Sequence, residues 1–82
     1  MCAADVLNVE VYEAFLNKRA TAKMTTLDTD GREMTSKGEV VARWEEDIIH
    51  LPREVSSHRM TRHRNMIVRL AKSRGIKMVY DI

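Results

Sequence analysis

The sequence is poor in the residues that most often carry recognisable chemistry. It has one cysteine, Cys2, so no disulfide can close within the chain, and a reducing, cytoplasmic setting is the expectation. Its three glycines, Gly31, Gly38 and Gly75, stand apart. That spacing excludes a Walker loop, a Gly-rich dinucleotide turn and a Gly-x-Ser-x-Gly nucleophile elbow. No apolar run approaches the ~20 residues of a membrane-spanning helix or the ~7 to 15 of a signal-peptide core. Met66-Ile67-Val68 is typical of the short runs present. Only four residues are aromatic (Tyr12, Phe15, Trp44 and Tyr80), so aliphatic side chains and six methionines must fill any core.

What is present suits one small domain over residues 1–82, with a frayed start expected over 1–6: 82 residues, 44% of them apolar, can enclose one thin core without cross-links. The formal net charge of +2 hides an asymmetry. Residues 1–52 carry ten acids and six bases, whereas residues 53–82 carry two acids and eight bases. An anionic partner is therefore expected at the second part of the chain. The single proline, Pro52, sits at the change of sign and reads as a joint between two elements.

The periodicity predicts an α+β fold. Leu7, Val11, Ala14, Phe15 and Lys18 are spaced as one face of a helix over about Asp5–Lys18, with Asp5 or Asn8 as N-cap. Alternation at Val9 and Val11 leaves a strand as the rival. From Thr21 to Leu51 the signals are those of a three- to four-stranded antiparallel meander. Thr21 to Leu27 is β-prone, Asp30-Gly31 and Lys37-Gly38 are turn dipeptides, and Val40, Val41, Trp44 and Ile48–Leu51 supply strands. A long C-terminal helix follows, from Ser56 or Ser57 as N-cap to Arg74, with Gly75 as its left-handed terminator. Met60, His63, Ile67, Leu70 and Ala71 form its apolar arc with Met66 at the edge; Met60, Ile67 and Leu70 are expected to face Val40, Ala42 or Trp44. Ile76, Met78, Tyr80 and Ile82 then alternate with Lys77, Val79 and Asp81 as a closing strand.

Phe15-Leu16, Thr29-Asp30-Gly31, Gly38-x-Val40-Val41-Ala42-Arg43-Trp44, Ser57 and His63-x-Asn65 together resemble a group of short tailed-phage proteins with no assigned activity. These carry a Thr-Asp-Gly turn, a Gly-x-x-Ile-Ala strand and a Ser-x-Thr-Thr-x-x-His helix start. The match spans about residues 15–68 and departs from the group at Arg59 and Met60, where paired threonines stand, and around Ser36, where aromatics stand. The resemblance implies a phage origin and an α+β fold, and nothing catalytic.

The chemistry-bearing residues point to binding. Asp28-Thr29-Asp30-Gly31 resembles the middle of a calcium loop, but the position requiring a bidentate glutamate falls on Lys37. His58 and His63 are five residues apart, ~140° around a helix, and cannot share a metal as an i, i+4 pair does. His63, on the apolar arc, is expected to be a neutral core histidine bonded to backbone or to a strand side chain. No catalytic residue, metal or cofactor is assigned. The sharpest feature is the stripe His58, Arg62, Asn65, Arg69 and Lys72, spaced 4, 3, 4 and 3 residues along ~21 Å of one helix face. Arg59, Arg64, Arg74 and Lys77 thicken its edges. Such a stripe can grip phosphates of DNA or RNA, and it can equally be a plain solvated face. Without interleaved aromatics it offers no base stacking. The alternative is a modulator docking on a host protein through Trp44, Glu45, Glu46 and Asp47, or through the 76–82 edge strand. The acids Glu45, Glu46 and Asp47 can also be a solvated turn between strands. The chain is expected to work as a monomer or homodimer, away from the membrane.

Overall fold

The computed structural model describes residues 3–21 and 27–82, with side chains from residue 9 onward. Helix α1 spans Ala3–Leu16. Four strands follow, β1 (Asp28–Thr29), β2 (Glu33–Ser36), β3 (Glu39–Glu45) and β4 (Ile48–Leu51), then helix α2 (His58–Ser73) and strand β5 (Lys77–Tyr80). The fold is α+β, as expected. Of the β-prone Thr21–Leu27 stretch, residues 22–26 lie outside the described residues.

At the start of the chain the helix prevails over the strand suggested by Val9 and Val11. Asp5 and Asn8 lie within α1, so neither caps it. Val11, Tyr12, Ala14, Phe15 and Leu16 are all buried, a wider apolar surface than a single stripe. Lys18 is not on that surface. It takes a left-handed φ of 57° beyond the helix and is exposed. The Arg19 N–H reaches the Ala14 carbonyl at 2.8 Å and the Lys18 N–H reaches Phe15 at 3.0 Å, which together close a Schellman motif. Helix α2 ends the same way, through Ile76 to Ala71 and Gly75 to Lys72, with Gly75 at φ 69°. Its start is set by Ser57, whose hydroxyl accepts the Met60 N–H at 3.2 Å.

The strands form one sheet in the order β1-β2-β3-β4-β5. The first four pair antiparallel, joined by short turns. At Lys37-Gly38 both residues are left-handed (φ 51° and 83°), the mirror-image turn that suits the twist of a hairpin. Between β2 and β3 the register slips, so that Met34 opposes Ala42 but Thr35 opposes Val40. Val41 is thus a bulge residue, which lets it and Ala42 be fully buried side by side, against the alternation of a regular strand. The closing strand joins this sheet but runs parallel to β4. A parallel neighbour cannot be reached by a hairpin, and α2 is the crossover that reaches it.

The apolar face of the sheet (Met34, Ala42, Trp44, Ile49, Leu51) meets both helices in one core with Val11, Tyr12, Phe15, Leu16, Leu27, Met60, Ile67 and Ala71. Leu70 is only half-buried at the margin of this core, whereas Ile67 is wholly enclosed. The alternation expected at the closing strand also fades: Met78 packs on the core, while Tyr80 and Ile82 remain 50% and 37% exposed because β5 is the edge of the sheet.

Asp30-Gly31 turns β1 into β2. The Asp30 carboxylate accepts the Arg32 and Glu33 N–H groups at 2.9 and 2.8 Å, and these two bonds hold its pKa below the usual carboxylate range. Gly31 sits at φ 97°, where an added Cβ would lie 3.1 Å from the Lys18 carbonyl oxygen. The turn is thereby wedged against the end of α1. Gly31→Ala is expected to cost about 1 to 2 kcal/mol from the left-handed backbone, read as a lower urea midpoint. An unchanged midpoint would show that the turn relaxes freely.

Candidate nucleic-acid interface

Helix α2 presents two unlike faces. Met60, His63, Ile67 and Ala71 are buried, and His58, Arg62, Asn65, Arg69 and Lys72 are all exposed on the far side. The helix carries no acidic residue, so the charge it displays is of one sign. Arg59 is exposed beside the stripe.

Two of the arginines expected to thicken the stripe are committed elsewhere. Arg64 is half-buried: its Nη1 donates to the Pro52 carbonyl at 2.8 Å and its guanidinium lies 5.7 Å from the Tyr80 ring centre. It ties the Pro52 joint to α2 and the edge strand. Arg74 forms an ion pair with Glu13 of α1. The positive surface is therefore narrower than the sequence suggested, centred on Arg59, Arg62, Arg69 and Lys72.

The acidic turn is arranged differently. Trp44 does not stand out as an anchor, because it is 7% exposed and belongs to the core. Its indole N–H donates to the Phe15 carbonyl at 2.7 Å, its ring stacks on Phe15 at 5.8 Å, and the Lys18 ammonium covers it at 4.6 Å. A tryptophan whose one polar atom is satisfied and whose faces are covered is a packing residue. Glu45, Glu46 and Asp47 are exposed, but Glu45 pairs with Arg43 and Asp47 with Lys18, at 3.4 and 3.3 Å.

The solvent face of the sheet holds a network that sequence reasoning missed. Arg43 lies between Glu33 (3.9 Å) and Glu45 (3.4 Å). His50 faces Asp81 through Nδ1 at 2.8 Å and Glu45 through Nε2 at 3.4 Å. The alternation of Arg43 and Glu45 with Ala42 and Trp44, and of His50 with Ile49 and Leu51, was the available signal. Its three carboxylates outnumber Arg43, so this face is not a surface for an anionic partner. The shallow concavity beside it is lined by Asp30, Arg32, Glu33, Arg43 and Glu45.

His63 is 4% exposed and bonded, as expected of a core histidine, but to a helix and not to a strand: the Tyr12 hydroxyl of α1 lies 2.7 Å from Nδ1. The Nε2 atom is buried without a partner among the described residues. Burial first, and then the Arg59 and Arg62 charges, push its pKa below the ordinary 6.5.

The class of protein defined by these observations is a small α+β domain with two helices on one face of a mixed sheet and a basic stripe on the outer side of α2. No family model, curated protein or solved structure matches the chain. Among the described residues, no helix is long and apolar enough to cross a membrane.

Proposed function

We propose that the protein is a non-enzymatic, phage-type accessory protein that acts in the cytoplasm and binds nucleic acid through the phosphate backbone with α2. The observation that carries this reading is the exposure of all five stripe residues, His58, Arg62, Asn65, Arg69 and Lys72, on a helix free of acids. Along ~21 Å such a face meets several phosphates, and each neutralised phosphate releases counterions. The phage-type role rests on the resemblance through Thr29-Asp30-Gly31, Gly38–Trp44 and Ser57–Asn65. Docking on a host protein through residues 44–47 is disfavoured by the burial of Trp44, which removes the aromatic anchor that reading needs.

The test is binding of labelled DNA and RNA, followed by anisotropy over a range of salt. Arg62→Glu combined with Arg69→Glu should abolish binding to nucleic acid of any sequence. Melting should stay near wild type, since exposed substitutions usually change stability by no more than ~0.5 kcal/mol each. Single Arg→Ala changes should each reduce the salt slope by about one. Full binding by the double variant, with the fold intact, would rule this function out.

A further inference from the structure

Strand β5 ends the sheet, and among the described residues nothing pairs with its outer edge. Of the three exposed large hydrophobic residues among the described ones, Tyr80 and Ile82 lie on this edge and Val9 is on α1. An unpaired edge bearing apolar side chains is a template for another strand.

The order of residues along this edge specifies the partner. Ile76-Lys77-Met78-Val79-Tyr80-Asp81-Ile82 is self-complementary about Val79 when read against itself antiparallel. Lys77 then faces Asp81, Met78 faces Tyr80 and Val79 faces its own copy. Ile76 and Ile82 fall outside the ladder, because the Ile76 N–H is bonded to the Ala71 carbonyl and the Ile82 N–H and carbonyl to Leu51 and Arg53. Shifting the pairing by two residues places Lys77 opposite Val79 in one direction and Asp81 opposite Val79 in the other, and the charge match is lost either way.

The backbone phase agrees. The Asp81 N–H donates to the Leu51 carbonyl at 3.1 Å, and the register pairs Val79 with His50 and Tyr80 with Leu51. In a parallel ladder this turns the backbone groups of Lys77, Val79 and Asp81 toward β4 and those of Met78 and Tyr80 outward. With the two-fold at Val79, Met78 and Tyr80 of the second copy form hydrogen-bonded pairs, and Val79 falls at a non-hydrogen-bonded position. The side chains agree as well: Lys77 is exposed, and Asp81, although held by His50, keeps 53% of its side chain exposed.

We propose that the β5 edge binds a second copy of this chain, antiparallel and two-fold about Val79, to give one continuous sheet with five strands from each copy. Opposed residues of an antiparallel pair share a face, so the helices of both copies lie on the same side and the two α2 stripes face the same solvent. The pairing stands on the β5 edge alone and holds whether or not α2 binds nucleic acid.

Sedimentation equilibrium of the 82-residue chain from micromolar to millimolar concentration should show the mass rising from 9.5 kDa toward twice that value. Lys77→Asp and Asp81→Lys place like charges opposite one another at both ends of the two-fold pair. Each variant alone should self-associate at least about tenfold more weakly. Mixed, the two should associate again, because position 77 then faces position 81 with opposite charges at both ends of the pair. Circular dichroism of each variant verifies the fold. Tyr80→Pro gives an independent check, since it removes an outward N–H and leaves the ladder to β4 intact; it should likewise weaken self-association. A mass of one chain at every concentration would overturn the proposal. So would dimers of unchanged strength in the variants, or a mixture that fails to associate.

Discussion

Replacing Ile67 by alanine is expected to lower the free energy of unfolding by about 2 to 5 kcal/mol. Ile67 is fully enclosed on α2 within the common core of sheet and helices. Its removal both forfeits buried apolar surface and leaves a void that neighbours held by strand pairing cannot fill. A domain of this size has only about 4 to 12 kcal/mol to lose. The variant should therefore lose a large share of its total stability. Leu70, one turn on and only half-buried, should tolerate the same change with a smaller loss. Trp44, the sole tryptophan, is stacked on Phe15 and reports the transition by fluorescence in urea. A loss under about 1 kcal/mol at Ile67, or a larger loss at Leu70 than at Ile67, would contradict the packing described.

The second large effect is acid destabilisation through His63. In the unfolded chain its imidazole titrates near 6.5, while in the fold burial and the Arg59 and Arg62 charges lower that value. Above 6.5 the histidine is neutral in both states, and the stability of the neutral Tyr12–His63 contact is fully present. As pH falls below 6.5 the unfolded chain takes up a proton that the fold resists. Stability then declines by up to about 1.4 kcal/mol per pH unit until the folded pKa is passed. His63→Leu should remove this limb, so the difference between the two pH profiles isolates it. Tyr12→Phe should cost about 1 to 3 kcal/mol at neutral pH by leaving Nδ1 without its partner. Asp30 acts lower on the scale: its depressed pKa contributes stability that is present above 3.8 and lost as pH falls through the folded value. An NMR titration placing His63 at or above 6.5 would refute the account.

Residue order by itself determined the local elements of this protein. Ser57 and Gly75 bracket α2 because a hydroxyl at the cap and a left-handed residue past the end satisfy backbone groups whatever the helix packs against. The helical period divided α2 correctly into a buried arc and an exposed stripe, with Leu70 alone falling short of burial. Asp30-Gly31 and Lys37-Gly38 are likewise turns on the strength of their own side chains and backbone freedom.

Only the tertiary structure decided what those elements meet. The end of α1 was not legible, because Lys18, with no glycine beside it, adopts the left-handed conformation that closes the helix. The partner of His63, the burial of Trp44, and the diversion of Arg64 and Arg74 from the basic stripe depend on residues 12 to 61 positions away in the chain. No local pattern records such contacts. The parallel direction of β5 is of the same kind. Alternation marks a strand and its two faces, but direction follows from α2 carrying the chain back along the sheet, and it leaves Met78 and Tyr80 with their outward backbone groups at an open edge.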